Sequence, residues 1–192
     1  MNRTRLLIAV VILALATVAG AFASPRTSPE VDPTHGKLSF GLVSNRMSSC
    51  QSDDGAPMTT YRMVWNGEVG DSEPRTHDHN LAGQAQLRGQ ITVNTQTGVG
   101  WGAFKLSVNG PRGVTYDGVA NVVTRFVSPD TEVRGFIDAA IKVHDVATGD
   151  HLVANFEMRM RKATNTMVGV YGDSAGVFAS TDGAVETTEQ TC

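Results

Sequence analysis

The chain contains one sequence typical of a reactive nucleophile, the Gly-x-Ser-x-Gly formed by Gly172, Ser174 and Gly176. In serine hydrolases this sequence marks a nucleophile elbow, in which a strand precedes the serine, a helix follows it and the catalytic histidine comes later in the chain. Residues 175–192 carry little helical pattern, and the last histidine is His151. We therefore predict no catalytic residue and place Ser174 in a glycine-flanked turn, with a serine hydrolase as the alternative.

A second candidate is a metal site in the segment Thr76–Asn80. In an extended segment His77 and His79 point to the same side, so their ring nitrogens could share one metal ion. A cupin-type site would need a glutamate shortly after the second histidine, and residues 81–85 contain none. Two ligands do not define a site, so we prefer a solvated polar loop and expect no cofactor.

A third candidate is a set of aromatic and methionine side chains that could line a ligand cavity. Eight-stranded barrels either fill their interior with side chains or hold one small ligand, and methionine suits adaptable apolar walls. Plain core packing is the alternative, and the low aromatic content of 6% favours it. The candidate ligand-binding residues are Tyr61, Trp65, Trp101, Phe104, Phe156 and Met158.

A basic run, Arg159, Arg161 and Lys162, closes the most regular alternating stretch of the chain. These charges could meet an anionic surface. We prefer a solvated strand edge, because charged side chains there oppose pairing with another chain.

The elements that must position these residues follow a period of two from Gly36 onward. Alternation of apolar and polar residues predicts strands with one buried and one solvated face. Residues 133–143 also fit a strand, with a short helix over 136–144 as the alternative. The apolar sets are Leu38, Phe40 and Leu42; Tyr61, Met63, Trp65 and Val69; Leu87, Ile91 and Val93; Phe104, Leu106 and Val108; and Leu152, Ala154, Phe156, Met158 and Met160.

Turn signals separate the strands at short intervals, which favours antiparallel pairing because parallel pairs need long crossovers. An open sheet of about eight strands would leave exposed edges. We therefore predict an all-β fold that forms a single antiparallel barrel of about eight strands, with a β-sandwich as the alternative. The predicted turns are Thr97–Gly98, Asn109–Pro111, Ser128–Asp130 and Thr148–Asp150.

Two stretches carry a resemblance to a known kind of protein. The sequences GWGAFKLSVNGPRGVTYDGVAN, Gly100 to Asn121, and VRGFIDAAI, Val133 to Ile141, resemble strand repeats in small exported bacterial barrels of allene-oxide-cyclase-like or calycin-like shape. The resemblance implies a closed barrel, in some cases with a hydrophobic cavity. It assigns no functional residue in this chain.

The N-terminus predicts export from the cytoplasm. Arg3 and Arg5 precede an apolar run, and Ala21 and Ala23 fit the small-x-small pattern of a signal peptidase site. Residues 1–23 are therefore predicted to be a signal peptide, with an uncleaved membrane anchor as the alternative. We expect a secreted or cell-envelope protein with no membrane span after cleavage.

The mature chain then divides into a leader and one domain. Residues 24–35 contain three prolines and few apolar residues, so they predict a flexible leader. Residues 36–192 are long enough for a single all-β barrel domain. The two cysteines, Cys50 and Cys192, predict a disulfide in an exported chain, with two free thiols as the alternative.

The composition of the chain limits the classes of partner that it could bind. A formal net charge of −3 over 192 residues gives no electrostatic reason to expect a nucleic acid. We predict a non-enzymatic exported barrel that binds a small apolar ligand or a surface partner. A barrel enzyme acting as a cyclase or isomerase is the alternative, which one or two buried ionisable groups in the interior would favour. The sequence leaves the oligomeric state open.

Overall fold

The computed structural model describes residues 34–71 and 81–172, which form eight strands and no α-helix. No helix within these ranges could therefore cross a membrane. A short 3-10 turn at Pro111–Gly113 joins the fourth and fifth strands. The strands are β1 His35–Gln51, β2 Pro57–Asp71, β3 Gly83–Asn94, β4 Val99–Asn109, β5 Val114–Val127, β6 Asp130–Val143, β7 Val146–Arg161 and β8 Thr166–Gly172.

Each strand pairs antiparallel with the next one along the chain, and β8 pairs with β1 to close the ring. The predicted all-β barrel of eight strands is confirmed, and the sandwich alternative is wrong. Residues 133–143 lie in β6, so the strand interpretation of this segment is also confirmed. β1 begins at His35, one residue before the predicted start of the domain.

The ring has two ends, which we call the upper and the lower rim. The upper rim carries the turns between β1 and β2, β3 and β4, β5 and β6, and β7 and β8. The lower rim carries the turns between β4 and β5 and between β6 and β7, together with the start of β1 and the end of β8. The end of β2 and the start of β3 also lie at the lower rim.

The alternation in sequence becomes an inner and an outer face. In β7, for example, Leu152, Ala154 and Phe156 are buried, while His151 and Val153 are exposed. The inward sets of all eight strands form one apolar cluster inside the ring. A period-two pattern therefore fixes which side chains the barrel encloses.

Inward-facing glycines let the strands bend closely around one another. At each of these positions an added Cβ atom would overlap a backbone carbonyl oxygen of the adjacent strand. Only glycine permits so close an approach, and glycines in strand interiors mark such bends. Seven of the eight strands carry one: Gly36, Gly67, Gly89, Gly102, Gly118, Gly135 and Gly169.

The turn predicted at Thr148–Asp150 is wrong. The chain reverses at His144 and Asp145, which both have positive φ angles, of 49° and 66°. Two successive residues of this kind are typical of the tight hairpin turn whose twist matches the flanking strands. Gly149 instead lies inside β7 with φ 86°, close to an irregularity in the pairing of β7 with β6.

An ion pair links neighbouring strands on the outside of the barrel. Lys142 of β6 donates a hydrogen bond from Nζ to Oδ2 of Asp117 on β5, over 2.9 Å. This bond lowers the pKa of the Asp117 carboxyl below its usual value and raises the pKa of the Lys142 ammonium. Both side chains are partly exposed, so water screens the pair.

The Asp117–Lys142 pair predicts a dependence of stability on pH. Because its folded-state pKa is lowered, Asp117 contributes stability that is present above its unfolded pKa, near 3.8, and is lost as the pH falls through the folded value. Asp117→Asn should therefore lower the free energy of unfolding at neutral pH and change it less in acid, as urea denaturation at both pH values would measure. Lys142→Gln should destabilise the protein over the same pH range. If the free energy lost by the double variant equals the sum of the losses of the two single variants, the pairing is contradicted.

The close contacts of the inward glycines predict that replacing one of them by alanine destabilises the protein much more than replacing a glycine that has free space around it. Gly135→Ala would push a methyl group against the backbone of Asn121 and to within 2.6 Å of the Phe156 ring. We expect a loss of about 1–3 kcal/mol in the free energy of unfolding, the range for overpacked interiors. The control is Gly70→Ala, because a Cβ atom there meets nothing within 4 Å. Equal effects of the two substitutions on the urea midpoint would contradict this account.

Candidate functional site

The barrel interior is hollow from the upper rim down to Leu81. A cavity of about 540 Å³ lies inside the ring, within the range of about 300–1,000 Å³ that is usual for small-molecule sites. It reaches solvent at the upper rim, where the exposed turn residues Thr95, Gln96 and Thr97 line it. The cavity is therefore a pocket with a mouth.

The wall of the pocket is apolar and continuous around the ring. All eight strands contribute inward side chains to it, so the closed sheet itself forms the container. One representative side chain from each strand is Phe40, Trp65, Leu87, Leu106, Val122, Ile137, Phe156 and Met167.

The floor of the pocket is sealed by tight packing near the lower rim. Leu81, which has no exposed surface, lines the pocket just before β3 begins. Its carbonyl oxygen accepts a hydrogen bond of 2.8 Å from the hydroxyl of Tyr171, a fully buried residue at the end of β8. Tyr116 and Val108, each 1% exposed, pack in the same cluster. The exposed lining residues of the pocket lie at the upper rim, so its opening among the described residues is there.

The mouth is polar and carries one cation. Among the described residues that line the pocket there is one ammonium group, Lys162, and no aspartate, glutamate, histidine or cysteine. Lys162 Nζ lies 4.0 Å from the centroid of the Phe126 ring, a cation–π distance. Asn45, Gln96 and Asn165 add amide groups near the same end.

One hydroxyl below the mouth has no partner. Thr124 is 2% exposed and lines the pocket, and its Oγ1 atom makes no hydrogen bond to the described part of the chain. By contrast, the buried hydroxyls of Thr60 and Thr92 bond to each other over 2.9 Å. A buried hydroxyl without a partner costs about 1–3 kcal/mol, so the position of Thr124 calls for an explanation.

Five of the six predicted ligand-binding residues meet in this pocket: Tyr61, Trp65, Phe104, Phe156 and Met158 all line it. Trp101 does not line it. β4 faces inward at its even-numbered positions, such as Phe104 and Leu106, so Trp101 lies on the outer face. The same parity was readable in the sequence.

The basic run divides between β7, which ends at Arg161, and the turn that follows it, where Lys162 lies. Arg159 is exposed on the outer face, in line with a solvated edge. Lys162 follows the even-numbered inward series of Met158 and Met160, and it lines the mouth of the pocket. Sequence reasoning missed both Lys162 and Thr124 as site residues. The signal for each was its parity, since Thr124 likewise continues the inward series of Ala120 and Val122.

Other predicted site residues lie outside the described residues, namely His77, His79, Ser174 and Cys192. The metal pair, the serine turn and the disulfide therefore stay predictions. Within residues 34–71 and 81–172 no group of three or more histidine, cysteine, aspartate or glutamate side chains could hold a metal ion. His151 lies on the outer surface, with Nδ1 3.3 Å from Asp138 Oδ1.

The described lining of the pocket carries few groups that could transfer a proton. General acid–base catalysis requires a positioned group that can give or take a proton, and the ionisable side chains among the described lining residues are Tyr61 and Lys162. Comparison of the chain with models of protein families, with curated proteins and with solved structures finds no match. The resemblance to allene-oxide-cyclase-like or calycin-like barrels therefore stays a prediction, and the pocket itself must carry the functional argument.

Proposed function

We propose that this protein binds one small apolar ligand inside its barrel and does not transform it. The observation that carries the proposal is the cavity of about 540 Å³ with walls from all eight strands. An eight-stranded barrel can fill its interior with side chains. Here the small residue Ala120 occupies a buried inward position at mid-height and lines the open space.

The energetics of the wall favour an apolar occupant. Water inside an apolar pocket finds few of the two to four polar partners that hold buried water in place. Displacing such poorly held water by an apolar group gains affinity. Each buried methylene group contributes about 0.8 kcal/mol. The lining therefore supports recognition by burial of hydrocarbon.

The absence of carboxylates and imidazoles among the described lining residues supports binding over catalysis. A cyclase or isomerase in the same barrel is the alternative. It would have to act through Tyr61 or Lys162, the ionisable groups that the described lining offers. NMR spectroscopy of ligand recovered after incubation separates the two functions, because an isomer has the same mass but a different spectrum, whereas binding alone returns the ligand unchanged.

We propose further that the protein acts outside the cytoplasm, exported by residues 1–23. The Cys50–Cys192 disulfide belongs to this proposal, since exported chains keep such bonds. Peptide mapping of the exported protein without reducing agent should yield Ser24 as the first residue and one linked peptide pair containing both cysteines. Alkylation of both cysteines before reduction would contradict the disulfide, and an N-terminus that retains residues 1–23 would contradict cleavage.

Filling the pocket should abolish ligand binding. Ala120→Phe places a ring at mid-height in the cavity, where Ala120 is 3% exposed. We expect the affinity for an apolar fluorescent probe, N-phenyl-1-naphthylamine, to fall about tenfold or more, a loss of at least ~1.4 kcal/mol. Titration of probe fluorescence measures this loss.

The matched control for this experiment is Val119→Phe, the neighbouring position on the outer face of β5, where the side chain is 43% exposed. It adds a phenyl ring to the same strand without entering the pocket, so probe affinity should stay at the wild-type value. Circular dichroism checks that both variants keep the β fold. Saturable probe binding that Ala120→Phe leaves unchanged would contradict an interior site.

A further inference from the structure

The mouth of the pocket combines a preset cation with a buried hydroxyl that has no partner. Lys162 Nζ rests 4.0 Å from the centroid of the Phe126 ring, which holds the ammonium group at the edge of the cavity. None of the ion pairs within the described ranges uses Lys162. Its charge is therefore available to a ligand.

Thr124 lies just below this cation on the inner surface. Phe126 and Thr124 are two residues apart on β5 and both line the pocket, Phe126 being 47% exposed at the rim and Thr124 buried, so the hydroxyl sits about 7 Å deeper along the strand. In register, Phe126 is opposite Thr131 and Thr124 is opposite Val133, while the facing residues of β7 are Met160 and Met158. From the upper rim towards the floor, the inner surface thus presents first the Lys162 ammonium group, then the Thr124 hydroxyl and then apolar side chains.

This gradient matches one kind of molecule. A ligand oxygen that accepts a hydrogen bond from Thr124 Oγ1 would remove the cost of that buried unpaired hydroxyl. A negative charge on the same head group would meet Lys162 in a lining without carboxylates among the described residues. Hydrogen bonds to ionised oxygens are roughly twice as strong as neutral ones. The part of the ligand below the head group contacts only the apolar wall.

We propose that the ligand is a single-chain amphiphile with an anionic oxygen head group, held at the mouth by Lys162 and Thr124, and a hydrocarbon tail that descends to Trp65 and Leu81. This rests on the proposed function, because it names the class of ligand that occupies the same pocket. A carboxylate and a phosphate monoester share the required chemistry. The tail runs along the inward rows from Val122 towards the floor.

The tail makes a first test. Isothermal titration of the wild-type protein with saturated carboxylates of increasing length should give one site per chain. Affinity should rise about fourfold per methylene group, which corresponds to ~0.8 kcal/mol. The rise should stop when the tail reaches the floor at Leu81 and Tyr171. Binding at many sites, or affinity independent of length, would overturn the placement of the tail.

The head group makes a second test. The probes are dodecanoate, dodecyl phosphate, the neutral dodecanol and the cationic dodecylammonium. Lys162→Gln should weaken binding of the two anions by about two- to fivefold, the range for a solvent-exposed charge pair. Dodecanol binding should change by less than about twofold, as for an exposed substitution. The more strongly bound anion identifies the head group.

The matched control is Arg161→Gln, which removes an equal charge from the adjacent position of β7 and should leave all four affinities unchanged. Thr124→Val keeps the shape of the side chain and should weaken dodecanoate about two- to tenfold. If dodecanol or dodecylammonium binds as tightly as dodecanoate and Lys162→Gln changes nothing, the head-group proposal fails while interior binding stands. If none of the four probes binds, the proposed function fails with it.

Discussion

The pairing of β8 with β1 is the constraint on which the rest of the structure depends, because it turns a meander of hairpins into a closed ring. Closure demands strong bending of the sheet, and inward glycines on seven strands provide it by letting neighbouring carbonyl groups approach. The same residues contribute no side chain to the interior. The cavity lies inside the ring that these close contacts help to close.

The two ends of the pocket differ chemically because the two rims of the ring carry different residues. At the lower rim Leu81 and Tyr171 are fully buried and bond to each other. At the upper rim, turns bring amides and hydroxyls to the mouth, and Lys162 stands over the Phe126 ring. A pocket closed and apolar below, and open and cationic above, selects ligands that are themselves asymmetric.

Much of this fold could be predicted from the sequence. Once a segment is assigned as a strand, the alternation of apolar and polar residues indicates which side chains face inward. The parity that placed Trp65 and Phe156 inside also places Trp101 outside, and extending it would have found Thr124 and Lys162. The depth of the cavity could not be predicted, since it depends on register and on how closely strands approach at glycines. The turn at His144 was missed because its positive φ angles fall on residues other than glycine, while Gly149 offered a stronger local signal.

A crystal structure of the protein with dodecanoate brominated at its last carbon tests the hollow barrel most directly. The account predicts one anomalous bromine peak inside the ring, near Trp65 and Leu106, with the carboxylate towards Lys162. A bromine peak on the outer surface, or an interior filled by the protein's own side chains, would contradict it.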